Sequence, residues 1–443
     1  MKENASDKVF NPASATDYVP LPQLRGLQLE RLKRAVAGAY RNQRCGLFKK
    51  RMDESGVKPE DVQSLDDIRR LPFSVKTDLR DTYPYGMFAV PQREVVRLQA
   101  SSGTTGKPIV VGYTKNDIAV WSDAMLRSMS AAGLSSEDVI QVSYGYGLFT
   151  GGLGAHYGGE TLGATVIPTS GGNTERQIMV MQDFGVTAIC CTPSYFIHIS
   201  EKAAEMGIDL KALALRAGVF GAEPWSEAMR HRIQEDTGIK AYDIYGLTEI
   251  IGPGVAMECA EQSGLHVFED YFYPEVIDPG TLEPLPDGEE GELVLTTLAK
   301  EAIPMIRYRT RDITAIMPER CACGRSVRRI RRIGRRSDDM MIIRGVNVYP
   351  SQIEAAVLKI KGLLPHYEII LTREGGLDHM EIKVEVTPAL FDDRIRAVES
   401  LQQQIAHAVF STVGIHAKVT LAESKSIARS EGKAKRIIDR RGI

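Results

Sequence analysis

The chain has 443 residues, 43% hydrophobic and 25% charged, with a formal net charge of −2. That length accommodates two or more domains, and the balance is that of a soluble globular protein rather than a disordered or fibrous one. Near-neutral charge removes a global electrostatic case for nucleic acid or an acidic membrane surface, no apolar run reaches membrane-spanning length, and six irregularly spaced cysteines make no disulfide framework. Residues 1–16 are polar and carry no secretory pattern, so a cytoplasmic protein is expected.

Residues 1 to about 95 read as mainly helical. Across 24–48, Leu27, Leu32, Val36, Ala39 and Tyr40 recur near helical spacing. Ser64 ahead of Leu65-Asp66-Asp67-Ile68 reads as a capped helix start. Two short β-prone runs, 95–100 and 109–113, then bracket Ser101-Ser102-Gly103-Thr104-Thr105-Gly106-Lys107-Pro108. Its glycines let successive N–H groups curl inward as an anion-binding nest, its hydroxyls add donors, and Lys107 adds a mobile charge. A polyphosphate is the natural guest, although a flexible surface loop would share this composition. The two-residue spacing of Gly103 and Gly106, with Pro108 after Lys107, excludes a Walker A loop.

From 115 to 240, strand candidates at 139–142, 165–168, 187–191 and 217–220 alternate with helical stretches such as 173–184 and 194–205. Such alternation predicts α/β architecture with mostly parallel strands and ligands beyond their carboxyl ends. The stretch from Gly145 to Gly152 misses the dinucleotide fingerprint because Thr150 stands where the third glycine belongs. Gly221-Ala222-Glu223-Pro224 and Asp243-Ile244-Tyr245-Gly246-Leu247-Thr248-Glu249 are expected as strand-end loops. Tyr245 offers an aromatic face to a base, Thr248 a hydroxyl, and Glu249 a hard oxygen for Mg²⁺.

Residues 265–316 read as antiparallel β-structure with turns at 278–280 and 286–288. Asp312 can accept two hydrogen bonds from a ribose diol. The arginine-dense run 325–336 is either a solvated strand or linker, or a phosphate contact. Beyond Asp338-Asp339, strands at 340–343, 368–371, 381–386 and 418–421 and helices at 352–358 and 392–410 form a compact α+β unit. The predicted architecture is therefore α/β. A large N-terminal domain, 1–337, has mostly parallel sheets flanked by helices plus an antiparallel β-region. A small α+β C-terminal domain, 338–443, follows. Cys259, His266 and the C-x-C pair Cys321 and Cys323 flank the antiparallel region. Three thiolates and an imidazole complete a closed structural Zn²⁺ set, with buried packing cysteines as the alternative.

In chain order, S-S-G-T-T-G-K-P, Y-G-Y-G-L-F-T-G-G, F-G-A-E-P-W, D-I-Y-G-L-T-E, Y-R-T-R-D, R-S-D-D-M-M-I-I-R-G-V-N-V-Y-P and S-E-G-K-A-K-R resemble the adenylate-forming superfamily. The likeness is closer to the phenylacetate–CoA ligases and covers nearly the whole chain. The resemblance implies that Ser101, Ser102, Gly103, Thr104, Thr105, Gly106 and Lys107 hold ATP phosphates. It implies that Ala222, Glu223, Asp243 and Tyr245, with their motif neighbours Pro224 and Gly246, surround adenine. Thr248 would contact phosphate, Glu249 would bind Mg²⁺, and Asp312 and Arg336 would hold the ribose. Tyr144, Phe149 and Ala222 would line the acyl pocket. The small C-terminal domain would be mobile, with Asp338 the hinge, Lys433 the adenylation lysine, and Gly345 part of the loop that swings in for the second half-reaction. Some members carry a similar cysteine set. Two departures stand out: Ile109 replaces the further lysine of many superfamily members, and Arg335 replaces the glycine that usually opens the hinge motif.

The implied function is an ATP-dependent ligase. An aromatic carboxylic acid and ATP give an acyl-adenylate and diphosphate, and the thiol of coenzyme A then gives acyl-CoA and AMP. The absence of G-x-S-x-G and H-E-x-x-H is consistent, because a carboxylate with a pKa of roughly 4 is already ionised and needs alignment rather than a base. Transfer to a carrier-protein thiol is the alternative. A nucleotide-binding module without catalysis is disfavoured by Glu249, Asp312 and Lys433 together. The arginine run lacks the interleaved aromatics of a nucleic-acid surface. The acid's identity is open, as is a homodimer.

Overall fold

The computed structural model describes residues 12–42, 46–101, 108–337, 339–344, 346–360, 362–374, 377–387, 395–430, 434 and 436–441. The stretch 24–48, read as helical, falls on two helices, α1 (Leu21–Tyr40) and α2 (Leu47–Glu54). α1 ends at Tyr40 with Arg41 as its C-cap, and Gly46, at φ 62°, is the N-cap of α2. Both pack their apolar faces, including Leu32, Val36 and Met52, against Leu298 and Ile306. Ser64 caps a short 3₁₀ turn, its N–H donating to Asp67 Oδ2 at 2.8 Å, and α3 (Lys76–Asp81) follows. Next, β1 (Arg97–Ala100) and β2 (Val110–Tyr113) form an antiparallel hairpin with Ala100 opposite Val110.

The chain then alternates through α4 (Lys115–Ala131), β3 (Val139–Val142), α5 (Thr150–Leu162), β4 (Thr165–Ile167), α6 (Thr174–Asp183), β5 (Ala188–Cys191), α7 (Pro193–Glu205), β6 (Ala217–Gly221), α8 (Glu227–Thr237) and β7 (Lys240–Leu247). After β7 come β8 (Gly252–Glu258), β9 (Leu265–Val267), β10 (Phe272–Ile277), β11 (Gly291–Thr297), β12 (Tyr308–Thr314), β13 (Ile316–Met317) and β14 (Arg329–Ile330). Among the described residues, nine strands form one mixed sheet in the order β13-β14-β9-β8-β7-β6-β5-β3-β4. From β4 to β7 neighbours are parallel; from β7 to β13 they are antiparallel. The parallel half has strands such as β5 and β6 buried along their whole length, which explains their unbroken apolar runs. The expected loop over 243–247 is strand instead. It belongs to β7 because β8 folds back onto it, with Gly246 so close that an added Cβ would lie 2.0 Å from Gly252 O. A separate antiparallel sheet, β10-β11-β12, occupies the predicted antiparallel region.

The molecule divides into two compact units. The first comprises 1–191, 213–222 and 240–332; the second comprises 192–212, 223–239 and 333–443. The second unit contains α7, α8, β15 (Arg335–Arg336), β16 (Met341–Ile343), β17 (Val346–Val348), α9 (Pro350–Val357), β18 (Leu363–Glu374), β19 (Leu377–Val386), α10 (Ile395–Val413), β20 (Lys418–Ala422) and β21 (Ile437–Asp439). Its sheet runs β20-β19-β18-β21. β18 alternates buried and half-exposed positions, and Ile369 and Leu371 pack with Ile353, Val357, Ile382, Val384, Ile405 and Val409. Among the described residues no helix is long and apolar enough to cross a membrane.

Candidate active site and candidate metal centre

Because β3, β6 and β7 belong to the parallel half, Tyr144, Ala222 and Thr248 all follow carboxyl ends at one edge of the sheet. Ala222 takes a positive φ of 70°, which turns the chain sharply off β6. The β1–β2 hairpin closes at Ser101: its N–H donates to Ile109 O at 3.0 Å, and its Oγ accepts the Ile109 N–H at 3.2 Å. The same hairpin holds the stretch after β3. Gln99 Nε2 donates to Phe149 O at 3.0 Å, and the Ala100 N–H donates to Leu148 O at 2.8 Å. Tyr144 is buried and Phe149 half-buried. A Cβ at Gly151 would lie 2.6 Å from the Phe149 ring and 3.2 Å from the Tyr144 ring, so the glycine makes room for both.

The turn after β7 is pinned from beneath. Lys300 Nζ donates to Ile250 O at 2.6 Å, and Tyr113 OH donates to Ile251 O at 2.8 Å. Thr248 and Glu249 are buried at this turn, and Lys76 Nζ on α3 stands 3.3 Å from Glu249 Oε1. Burial pushes the Lys300 ammonium down to about 8, against the pull of the Asp117 and Glu249 carboxylates. On β7 itself, Tyr245 OH donates to Asp312 Oδ2 on β12 at 2.6 Å. Asp243 Oδ2 accepts Arg332 Nε at 3.0 Å, while its N–H donates to Glu258 Oε2 at 2.8 Å.

The first unit thus gathers Tyr245, Asp312, Asp243, Thr248 and Glu249 around β7. Glu223, Pro224 and Arg336 belong to the second unit. Glu223 Oε1 accepts the Ser194 N–H at 2.9 Å, Pro224 is exposed, and Arg336 Nε stands 3.8 Å from Asp339 Oδ2. Ser102, Gly103, Thr104, Thr105, Gly106, Lys107, Asp338, Gly345 and Lys433 lie outside the described residues. Lys76 and Lys300 escaped the sequence reading, and Arg332, inside the arginine run, was not tied there to Asp243. Their partners are distant in the chain, so no local spacing marks them.

The first half of the arginine run is pinned by hydrogen bonds and ion pairs, while Arg331 is exposed and the chain passes from the first unit to the second between 332 and 333. Arg325 Nε reaches Asp17 Oδ2 at 3.1 Å, Arg328 Nε reaches Glu269 Oε1 at 2.7 Å, and Arg329 NH2 donates to Glu319 O at 2.9 Å.

Cys259, His266, Cys321 and Cys323 meet where β8 and β9 approach the 321–324 turn, with one ligand atom from each within 4.8 Å of the others. Cys259 Sγ and Cys321 Sγ are 3.7 Å apart, and Cys323 Sγ lies 3.4 Å from His266 Nε2. A tetrahedron with zinc–sulfur bonds of about 2.3 Å has sulfur–sulfur edges of about 3.8 Å, so the donor set fits that ion. The hydrogen bond to Cys259, aided by His266, holds the Cys323 thiol well below its usual range, and the same bond pushes Cys259 up.

Two family models match: AMP-binding enzyme over residues 50–298, and AMP-binding enzyme C-terminal domain over 345–441. A phenylacetate-coenzyme A ligase of Thermus thermophilus is 50% identical, over 96% of this chain and 98% of its own. One of Pseudomonas putida is 53% identical over 94% of each. Among solved structures, 2-hydroxyisobutyryl-CoA ligase in the postadenylation state with 2-HIB-AMP gives a TM-score of 0.91 at 29% identity, covering 100% of this chain and 94% of that one. The same ligase with 2-HIB-AMP and CoA in the thioesterification state gives 0.70 at 30% identity, covering 98% and 95%.

Proposed function

The chain belongs to the phenylacetate-coenzyme A ligase family of AMP-binding enzymes, and on that premise we propose that it activates an aromatic, phenylacetate-like acid. The overall reaction is that of an acid–CoA ligase. Carboxylate and ATP give acyl-adenylate and diphosphate, and CoA then gives the thioester and AMP. CoA is favoured over a carrier-protein thiol because the relatives at about half identity over nearly the whole chain are CoA ligases. The Tyr144 and Phe149 rings packed against Gly151 support an aromatic acid.

The observation that carries the site reading is the convergence on β7 of the Thr248–Glu249 turn and the Tyr245–Asp312 pair. Tyr245 presents its ring to adenine, and Asp312, oriented by the Tyr245 hydroxyl, takes the ribose hydroxyls. Ala222, Glu223 and Asp243, with Pro224 and Gly246, border the base, and Arg336 assists at the ribose. Ser101 anchors the phosphate loop 102–107 at the stem of the hairpin, and Thr248 adds a hydroxyl. Glu249, next to the Lys76 cation, is the carboxylate that would hold Mg²⁺. When bound, that ion neutralises phosphate charge. The substrate carboxylate needs no base; it must be aligned with the α-phosphorus, and Lys433 steadies the reacting oxygens. Residues 338–443 act as a mobile domain hinged at Asp338, bringing Lys433 to the first half-reaction and the loop at Gly345 to the second. Cys259, His266, Cys321 and Cys323 would hold a structural zinc, a closed set with no catalytic opening.

The test is a panel of carboxylic acids scored by AMP release with and without CoA. Arylacetic acids should give CoA-dependent AMP release well above aliphatic acids of equal size. Equal turnover of both classes would remove the aromatic assignment, and CoA-independent release at full rate would remove the CoA assignment.

A further inference from the structure

The second unit holds an ionic cluster that this reading does not use. Residues 425–430 follow β20 and precede Lys433 in the sequence. Arg429, within them, forks onto Glu385 of β19, NH1 to Oε1 and NH2 to Oε2 at 2.8 Å each. Glu385 is fully buried and also accepts the N–H groups of Lys425 at 3.0 Å and Ile427 at 2.7 Å. The segment is thereby fixed to its own sheet. The Nε of Arg429 then reaches beyond that sheet, to Glu201 Oε2 on α7 at 3.3 Å. His366 Nε2 on β18 lies 2.7 Å from the other Glu201 oxygen, and Lys425 pairs with Glu205 one turn further along α7. Ala434 repeats the pattern: its N–H donates at 2.9 Å to Glu223 Oε2, while Oε1 of the same carboxylate takes the Ser194 N–H in the first turn of α7.

Residues on both sides of Lys433 are therefore tied, through two carboxylates, to one helix. Charge-assisted bonds of this kind impose geometry as well as strength. Glu201 is three-quarters buried by side chain, and Arg429 is 14% exposed, so water competes only weakly for the pair. Burial works against an ionised Glu201, but the His366 hydrogen bond and the His366 and Arg429 charges hold its pKa below the usual carboxylate range.

We propose that Glu201, acting through Arg429, is a positioning residue for acyl-adenylate formation, fixing 425–430 on α7 and so setting how Lys433 is presented. This rests on Lys433 being the adenylation lysine. Glu201→Ala should lower kcat for acid-dependent ATP–pyrophosphate exchange on the order of tenfold, with KM for ATP and acid within about twofold. Thioester formation from supplied phenylacetyl-AMP and CoA should not fall. Glu201→Gln keeps one acceptor oxygen for Arg429 Nε and can turn its NH2 to the acceptor nitrogen of a neutral His366, so it should recover part of the lost rate, and Arg429→Lys should resemble Glu201→Ala. Equal loss in both half-reactions, no loss in either, or a change confined to KM overturns the proposal. Lys433→Ala is measured alongside. If it spares adenylation, the lysine assignment and the positioning role fall together. If it behaves as assigned while Glu201→Ala does not, only the positioning role falls.

Discussion

The mixed sheet of the first unit carries two candidate sites, one at β7 and one further along its antiparallel half, and they are built in opposite ways. At β7, where parallel gives way to antiparallel pairing, the turn 248–251 is held by its backbone: Lys300 and Tyr113 grip the carbonyls of Ile250 and Ile251. That leaves the Glu249 carboxylate beside the Lys76 ammonium rather than engaged in holding the turn. At β8 and β9 the Cys/His set is held by its own side chains, and all four ligand atoms face one another. At β7 the main chain carries the contacts that fix the turn, and the Glu249 side chain is paired separately with Lys76. A site that only holds the fold together turns every functional atom inward.

The sharpest break of this comparison is Glu249→Gln. The amide retains the shape but not the charge, so it removes the hard anionic oxygen proposed for Mg²⁺ and leaves the carbonyl grip untouched. Acyl-adenylate formation should fall by at least about 100-fold, the scale of losing one preorganised electrostatic contact. Melting temperature should stay near that of the parent. Near-full activity would place the metal elsewhere and dissolve the contrast.

Legibility followed how local the cause was. The apolar runs at 188–191 and 217–221 announced buried parallel strands, because parallel strands are covered on both faces. The C-x-C pair and its distant partners announced a closed ligand set through residue chemistry alone. What stayed hidden was set by contacts across long chain separations. The strand character of 243–247 depends on β8 returning onto it, and Lys76 meets Glu249 only in the folded sheet. Arg325 and Arg328 looked solvated because their acidic partners, Asp17 and Glu269, lie far upstream.

Cys321→Ser tests the other site. It removes one thiolate from a closed set, so the purified variant should carry well under one zinc per chain by elemental analysis, against one in the parent. Melting temperature should drop by about 5–10 °C, because metal binding at a structural site contributes folding free energy. Turnover per folded molecule at low temperature should change little. A large kcat loss with zinc retained would make the set part of the reaction rather than of the scaffold.

Lys300→Met sharpens the comparison most finely, because it loosens the main chain under Glu249 while leaving the carboxylate in place. The Ile250 carbonyl loses its ammonium donor, and adenylation should fall on the order of tenfold, less than for Glu249→Gln. Stability separates this effect from general damage. The Lys300 pKa is about 8 in the folded chain against an ordinary 10.5, so between those values the unfolded chain binds more protons. The folded state therefore gains stability from this group as pH rises from about 8 to about 10.5, and the penalty of burying its charge is fully present below that window. Denaturation midpoints of parent and variant, followed across this window, should show the parent's advantage growing with pH. Parallel curves would mean that Lys300 keeps an ordinary ammonium, and that the turn owes its shape to Tyr113 and the β7–β8 pairing alone.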